Sequence, residues 1–556
     1  MCKRGNLFAG RVVVIPVPVR LRHTFPDVTM RRKLLWVLPA LIALPAVLVP
    51  LRAGAVLDGR ELFEDVRTRV EAGAVDSLSS DEVWLRAARG LVDQIDDPYA
   101  ELFSPEQIAS FTRNTLRNDY AGVGMNIQDQ LGTVVVTATF PGSPASEGGV
   151  QTGDRIIEVD GKPTAGLRLD EVSGRLIGKA GTQVEVKFAR PGVTAPITMR
   201  FTRARIHVSA VPYAVMLSHQ VGYIPLQRFN DSSAADVGTA VERLRGQGAR
   251  AFVLDMRGNP GGSLGQAIAV SERFLTAGQP VVTVRYRDRP TEAHQVPESD
   301  ERMPGAARSG EPVVVLVDGS TASAAEIVAG ALQDHDRALV VGTTSFGKGL
   351  VQSVYPLRQG WALKLTTARW FTPSGRSIQR EREMRNGRLV AVVPDSLETD
   401  SVRKTRPAFK SDAGRVVYGG GGITPDVVVP ADTVTSAELR FLEAIAPTSQ
   451  KAYRALYDLA IAVRPGLKPG FRVTPALRDS FFVRMQRAGV EVERARYDSA
   501  SGFVDRMLEQ QVAAVAFGDS ASFRRGSAHD AQLTRARELL RAARNQQDLI
   551  ATATGT

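Results

Sequence analysis

Two residues 25 positions apart have the types and surroundings to do chemistry together: Ser323, in TASAAE, and Lys348, in FGKG. A serine hydroxyl is a poor nucleophile until a base takes its proton, and a neutral lysine amine can be that base. A free lysine titrates near 10.4, so holding it neutral at pH 7 requires about 3.4 units, or roughly 4.6 kcal/mol. Burial among apolar groups supplies shifts of that size. Small neighbours, Gly347 and Gly349, let Lys348 approach another segment, and Phe346 is compatible with an apolar pocket. Each residue also has a plainer reading. Ser323 with Glu326 forms a capping-box pattern. Gly342 to Lys348 mimics a phosphate-binding loop, but Gly349 stands where a Ser or Thr would hold Mg²⁺.

The elements around the pair read as an α/β unit. Val313 to Val317 is a short apolar run rich in β-branched residues, which predicts a buried strand. Asp318, Gly319 and Ser320 break it, and a helix starts at Ser323 with apolar Ile327, Val328, Ala331 and Leu332. Its first turn offers unpaired N–H groups and a dipole that favour developing negative charge. A second buried strand, Ala338 to Val341, leads into the lysine loop. In such units the chemistry sits beyond the strand ends. Arg250 to Met256 reads as another strand, followed by Arg257-Gly258-Asn259-Pro260-Gly261-Gly262 and a helix from Ser263 to Leu275.

TASAAEIVAGALQD, FGKG with Gln352 four beyond the lysine, and DMRGNPGG together resemble the carboxyl-terminal processing (tail-specific) serine proteases over roughly residues 62–430. The resemblance implies a Ser–Lys dyad with Ser323 as nucleophile, Lys348 as general base and Gln352 orienting that base. It implies an oxyanion hole from the Ala324 N–H and that of Gly261 or Gly262; a tight turn without a partner is the alternative for the two glycines. The implied fold is an α/β protease core with crotonase- or ClpP-like βαβ units, an inserted PDZ domain, an N-terminal helical subdomain and a C-terminal helical extension. The expected division is 1–55 for an extension and leader, 56–115 helical, 116–205 PDZ, 206–432 core and 433–556 C-terminal helices. Within the PDZ stretch, Gly122-Val123-Gly124-Met125 stands where such domains hold a peptide's terminal carboxylate on backbone N–H groups. Asn126 to Gln128 would start the strand that pairs with the ligand.

Leu57 to Ser110 reads as helices, from Leu62, Phe63, Val66 and Val70 and from Trp84, Leu85, Ala88, Leu91, Val92 and Ile95 at helical spacing. Leu357 to Thr372 alternates as strands, and Arg376 to Gly422 is a polar excursion read as a mobile loop, with a gate as the alternative. After Pro430, helical spacing recurs at Ala437 to Ile445, Lys451 to Val463, Arg494 to Phe517 and Ala531 to Leu549. The family core does not need this tail, which suits assembly or an adaptor.

The chain has 556 residues, enough for three or four domains, and a formal net charge of +11. Residues 1–55 hold nine Lys or Arg against one Asp, a surplus of eight, so the remainder carries +3. The basic balance is a targeting signal rather than a nucleic-acid footprint. Met30-Arg31-Arg32-Lys33, the apolar run Leu34 to Val49 and Ala53-Gly54-Ala55 form an export leader. The destination is the periplasm or another extracytoplasmic space, with an uncleaved inner-membrane anchor as the alternative. Cys2 is the single cysteine, which excludes a disulfide framework. The six histidines lack ligand spacing; His335 reads as a helix-end residue. The expected activity is a cofactor-free serine endopeptidase acting on protein or peptide substrates with free C-terminal tails. A homodimer or an adaptor is compatible with the family. The rivals are a non-catalytic PDZ scaffold and a crotonase-like module that binds apolar ligands; the intact Ser323, Lys348 and Gln352 oppose both.

Overall fold

The computed structural model describes residues 58–112, 119–298, 305–308, 310–385, 388–392 and 400–554. The expected leader and the stretch ahead of Met30 lie outside these residues. The chain divides into two units, residues 1–94 and 95–556.

Among its described residues the first unit has two helices, Gly59–Gly73 and Ser80–Asp93. Asp58 caps the first, and Ser79 with Glu82 forms a reciprocal capping box on the second. Phe63 and Trp84 meet with ring centroids 5.7 Å apart. Leu62, Phe63, Val66, Trp84 and Leu91 remain exposed.

In the second unit a six-stranded sheet carries the core. Its order is Val215–Leu217, Val221–Pro225, Ala251–Asp255, Val313–Val317, Leu339–Gly342 and Val427–Val428, parallel except for the first pair. Both faces are covered, which is why the inner strands are continuous apolar runs rather than alternating ones. On one face lie the helices Ser233–Gly246, Leu264–Ser271 and Ala324–Asp334, through Val241, Leu244, Ala267, Val328 and Leu332. The last, here the serine helix, is buried along its whole length. On the other face Leu533, Ala536, Leu539, Leu540 and Leu549 pack against Val253, Val314, Leu316 and Val341.

That second packing corrects the reading of the tail as dispensable. The helices Ala531–Ala542 and Gln546–Thr554 form half of the core's covering. A buried ion network reinforces them: the Arg257 guanidinium joins Asp255 to Asp530, with both Asp530 oxygens at 2.8–2.9 Å, and Tyr223 donates to Asp255 at 2.7 Å. The helix expected over 531–549 is interrupted at Ala543, which is extended, and the one over 494–517 at Ala500. Periodicity also overlooked Pro475–Arg487 and Asp519–Gly526.

A second sheet holds Glu101–Phe103, Leu350–Pro356, Ala362–Phe371, Pro280–Tyr286 and Glu292–Gln295. Glu101–Phe103 was expected within a helical stretch, but pairing with Ala362 to Lys364 overrides local preference. The excursion after Arg376 is anchored at its start and is not a mobile loop there. Arg376 is fully buried against Asp334 at 2.8 Å, and Arg380 donates its N–H to Gly347 at 3.0 Å.

The stretch expected to be a PDZ domain forms a sheet ordered Met125–Asp129, Val134–Thr139, Arg155–Val159, Gln183–Ala189 and Ile197–Thr202, with Lys162–Pro163 on its third strand and a helix at Leu169–Leu176. The helix Ser449–Val463 and the turn after it grip it: Tyr457 Oη donates to the Val136 carbonyl at 2.9 Å, and Arg464 to that of Thr152 at 3.2 Å. Truncation at Pro430 is expected to abolish the cooperative melting transition of the core, because it exposes the apolar face holding Val314 and Leu316. A soluble truncated chain with an unchanged Tm in calorimetry would contradict this.

Candidate active site

Ser323 occupies the N-cap of the serine helix with φ 56° and ψ −116°, a left-handed conformation that favours glycine. Such a backbone costs of the order of 1–3 kcal/mol and persists only where its surroundings over-determine it. Here they do. Asp318 Oδ1 accepts the N–H groups of Ser320, Thr321 and Gly258 at 3.0–3.1 Å. Thr321 Oγ1 donates to the Met256 carbonyl at 2.9 Å, and Ala322 donates its N–H to that of Asn259 at 2.9 Å. The turn before Ser323 is thereby stitched to the NPGG loop.

Glu326 ties that turn to the lysine loop. Its side chain is fully buried, and its Oε2 accepts the N–H of Ser323 and that of Lys348, each at 2.8 Å. The two backbone nitrogens are therefore no further apart than twice that distance. Oε1 accepts the Ser345 hydroxyl and the Gly347 N–H. Burial pushes the carboxyl pKa up, while these four donors favour the ionised form. The capping box is thus half-formed: Glu326 takes the Ser323 N–H, but the Ser323 hydroxyl makes no capping bond to the helix.

Lys348 is half-buried, and burial, followed by the charge of Lys364, lowers its pKa to about 8, against the opposing pull of Glu326 and Asp97. About a tenth of it is then neutral at pH 7. Its ammonium lies 4.6 Å from the centroid of the Tyr99 ring, and Trp370 Nε1 donates to its carbonyl at 3.0 Å. No hydrogen bond joins the Ser323 hydroxyl to the Lys348 amine. Nor does a hydrogen bond join Gln352 to the amine: the Gln352 Nε2 donates to Thr366 Oγ1 at 3.3 Å. A register shift between Val351 and Gln352 breaks the simple alternation along Leu350–Pro356.

Of the two glycines, Gly261 donates its N–H to Asn259 Oδ1 at 2.9 Å. A Cβ on Gly261 would lie 2.7 Å from the Ala322 carbonyl oxygen and 2.9 Å from the Ala324 nitrogen. Gly261 is therefore required where the loop meets the serine turn, and Gly262 where it meets Phe229, since a Cβ on Gly262 would lie 2.1 Å from the Phe229 carbonyl oxygen. Asn259, fully buried, also donates to the Leu226 carbonyl at 2.8 Å.

At the PDZ loop, Gly124 has φ 80°, and its carbonyl accepts the Ser143 hydroxyl at 2.8 Å. Val123 and Met125 are buried in the module's core with Val172 and Leu176, while Gly122 ends a strand paired with Ala204. Among the described residues, Met125–Asp129 is an edge strand paired on its Val134–Thr139 side. His335 caps the C-terminal end of the serine helix, away from Ser323, bonding Asp412 and the Pro280 carbonyl at 2.7 Å. Sequence reasoning missed Asn259 and Thr366, and saw in Glu326 only a cap; the TASAAE spacing was the one signal for it.

Peptide cleavage that depends on neutral Lys348 is expected to rise with pH through about 8, since the amine loses its proton there. Lys348→Arg should remove activity at every pH tested, because guanidinium stays protonated; a kcat/KM profile checks both. Ser323→Gly should melt higher than Ser323→Ala by about 1 kcal/mol, through relief of backbone strain; equal denaturant midpoints would contradict it.

Residues 220–395 match the family described as Peptidase family S41, and residues 135–190 match the PDZ domain. The carboxy-terminal-processing protease of Bartonella bacilliformis is 36% identical over 321 residues, 57% of this chain and 72% of that one. The carboxyl-terminal-processing protease of Synechocystis sp. is 35% identical over 310 residues, 54% of this chain and 70% of that one. Among solved structures, a photosystem II D1 C-terminal processing protease is 30% identical, with 60% of this chain and 92% of that chain covered and a TM-score of 0.31. The family matches span the serine turn, the lysine loop and most of the PDZ module, and the chain belongs to the carboxy-terminal-processing proteases of peptidase family S41.

Proposed function

We propose that this chain is an exported serine endopeptidase that captures the free C-terminal tail of a protein and cleaves it with a Ser323–Lys348 dyad. The observation that carries this reading is the single Glu326 oxygen holding the N–H groups of both residues. Neutral Lys348 takes the Ser323 proton, and the alkoxide attacks the scissile carbonyl. The oxyanion rests on the Ala324 N–H and on that of Gly262, since Gly261 is committed to Asn259. Losing one such donor costs about 3 kcal/mol of transition-state stabilisation. Protonated Lys348 then passes its proton to the leaving amine, and water releases the acyl-enzyme, again with Lys348 as base. Every proton is returned, and no metal or cofactor takes part in this scheme.

Tail capture uses the PDZ module. An extended peptide adds to the open edge of Met125–Asp129, its carboxylate on the backbone of Gly122 to Met125 and its last side chain against the apolar cluster of Val123, Met125, Val172 and Leu176. Binding the tail raises the local concentration of substrate at the dyad. Export follows from the basic and apolar run between Met30 and Ala55.

The discriminating experiment incubates an unfolded protein, with free and with amidated C-terminus, with the wild type, Ser323→Ala and Lys348→Ala. Cleavage by the wild type alone, at least tenfold faster for the free tail, is the expected outcome. Cleavage by Ser323→Ala would show another nucleophile, and binding without cleavage by the wild type would favour a non-catalytic scaffold.

A further inference from the structure

We propose that Tyr99 is a positioning residue for the lysine base, its ring face receiving the ammonium that forms when Lys348 takes the serine proton. This rests on the reading of Lys348 as base. The Nζ–centroid separation of 4.6 Å is inside the roughly 6 Å range in which a cation is attracted to an aromatic quadrupole. In a partly desolvated pocket that attraction reaches its upper range, whereas an exposed pair gains little.

The ring is held there by its own segment. Asp97 accepts the Thr366 N–H at 2.9 Å and hydroxyl at 3.1 Å, which pins the turn to the strand Ala362–Phe371. Asp97 Oδ1 also accepts the Tyr99 N–H at 3.0 Å. The Gln352 amide reaches the same Thr366 hydroxyl at 3.3 Å. Gln352 is thereby linked by hydrogen bonds through Thr366 and Asp97 to the Tyr99 backbone. The charged groups acting on Lys348 are Lys364 from that strand, Glu326 from the serine helix and Asp97 from the turn; Arg382 acts on the Tyr99 phenol. None of them is altered by changing the ring.

The consequence for catalysis has a distinctive sign. At low pH the reaction starts from protonated Lys348 and passes through protonated Lys348, so the ring's contribution cancels. At high pH it starts from the neutral amine, and the ring stabilises only the state in which the proton has arrived. Removing the ring face should therefore lower the high-pH plateau and move the midpoint down together, while low-pH rates superimpose.

The test is kcat/KM of the full chain on a free-tailed peptide from roughly pH 6 to 10. For Tyr99→Leu the expected result is a plateau about tenfold lower and a midpoint about one pH unit lower, with Tyr99→Phe keeping the wild-type midpoint. A uniform fall across pH, or an unmoved midpoint in Tyr99→Leu, overturns the proposal. Should Tyr99→Leu fail to fold, Tyr99→Trp, with its stronger quadrupole, should raise the midpoint, and an unmoved or lower one overturns it. Activity surviving in Lys348→Ala would overturn the dyad itself. An inactive Lys348→Ala beside an unmoved Tyr99→Leu midpoint would overturn only the role of Tyr99.

Discussion

One buried carboxylate organises this molecule's candidate site. Glu326 sits at the first turn of a fully buried helix and accepts four donors, from Ser323, Ser345, Gly347 and Lys348. Burying an unpaired carboxylate is costly; four donors, three of them backbone N–H groups, offset that cost. Because those donors come from two loops on neighbouring parallel strands, the carboxylate makes the serine turn and the lysine loop a single rigid object. The strained Ser323 backbone depends on it, since a φ of 56° survives only where several bonds hold it.

The lysine environment shows opposing effects kept near balance. Burial and Lys364 favour the neutral amine, whereas Glu326 and Asp97 favour the ammonium, which lies 4.6 Å from the Tyr99 ring centroid. A base must be neutral to accept a proton and stable once it has done so. In the role proposed for Lys348, a pKa of about 8 serves both needs better than either extreme.

The core that supports this site is assembled from distant parts of the chain. Asp530, far beyond the protease motifs, meets Arg257 at the entrance to the NPGG loop, and Leu533 and Leu539 close the sheet's second face. A further helix, Ser449–Val463, and the turn after it hold the PDZ module by Tyr457 and Arg464. The C-terminal segment therefore supports both the six-stranded sheet and the PDZ module.

What the sequence determined by itself was local. Val313 to Val317 is apolar throughout and β-branched at every position but Leu316, and the strand has those bounds; TASAAE and FGKG located the serine turn and the lysine loop. Those features follow from short-range sterics, burial patterning and cap chemistry, which act within a few residues. Tertiary structure alone decided that Glu326 faces Lys348, that Tyr99 lies on the amine, that Glu101–Phe103 becomes a strand and that Asp530 completes Arg257. Each of these joins residues from 22 to 273 positions apart. Only the closure of the sheets, which no local periodicity encodes, brings such partners into contact.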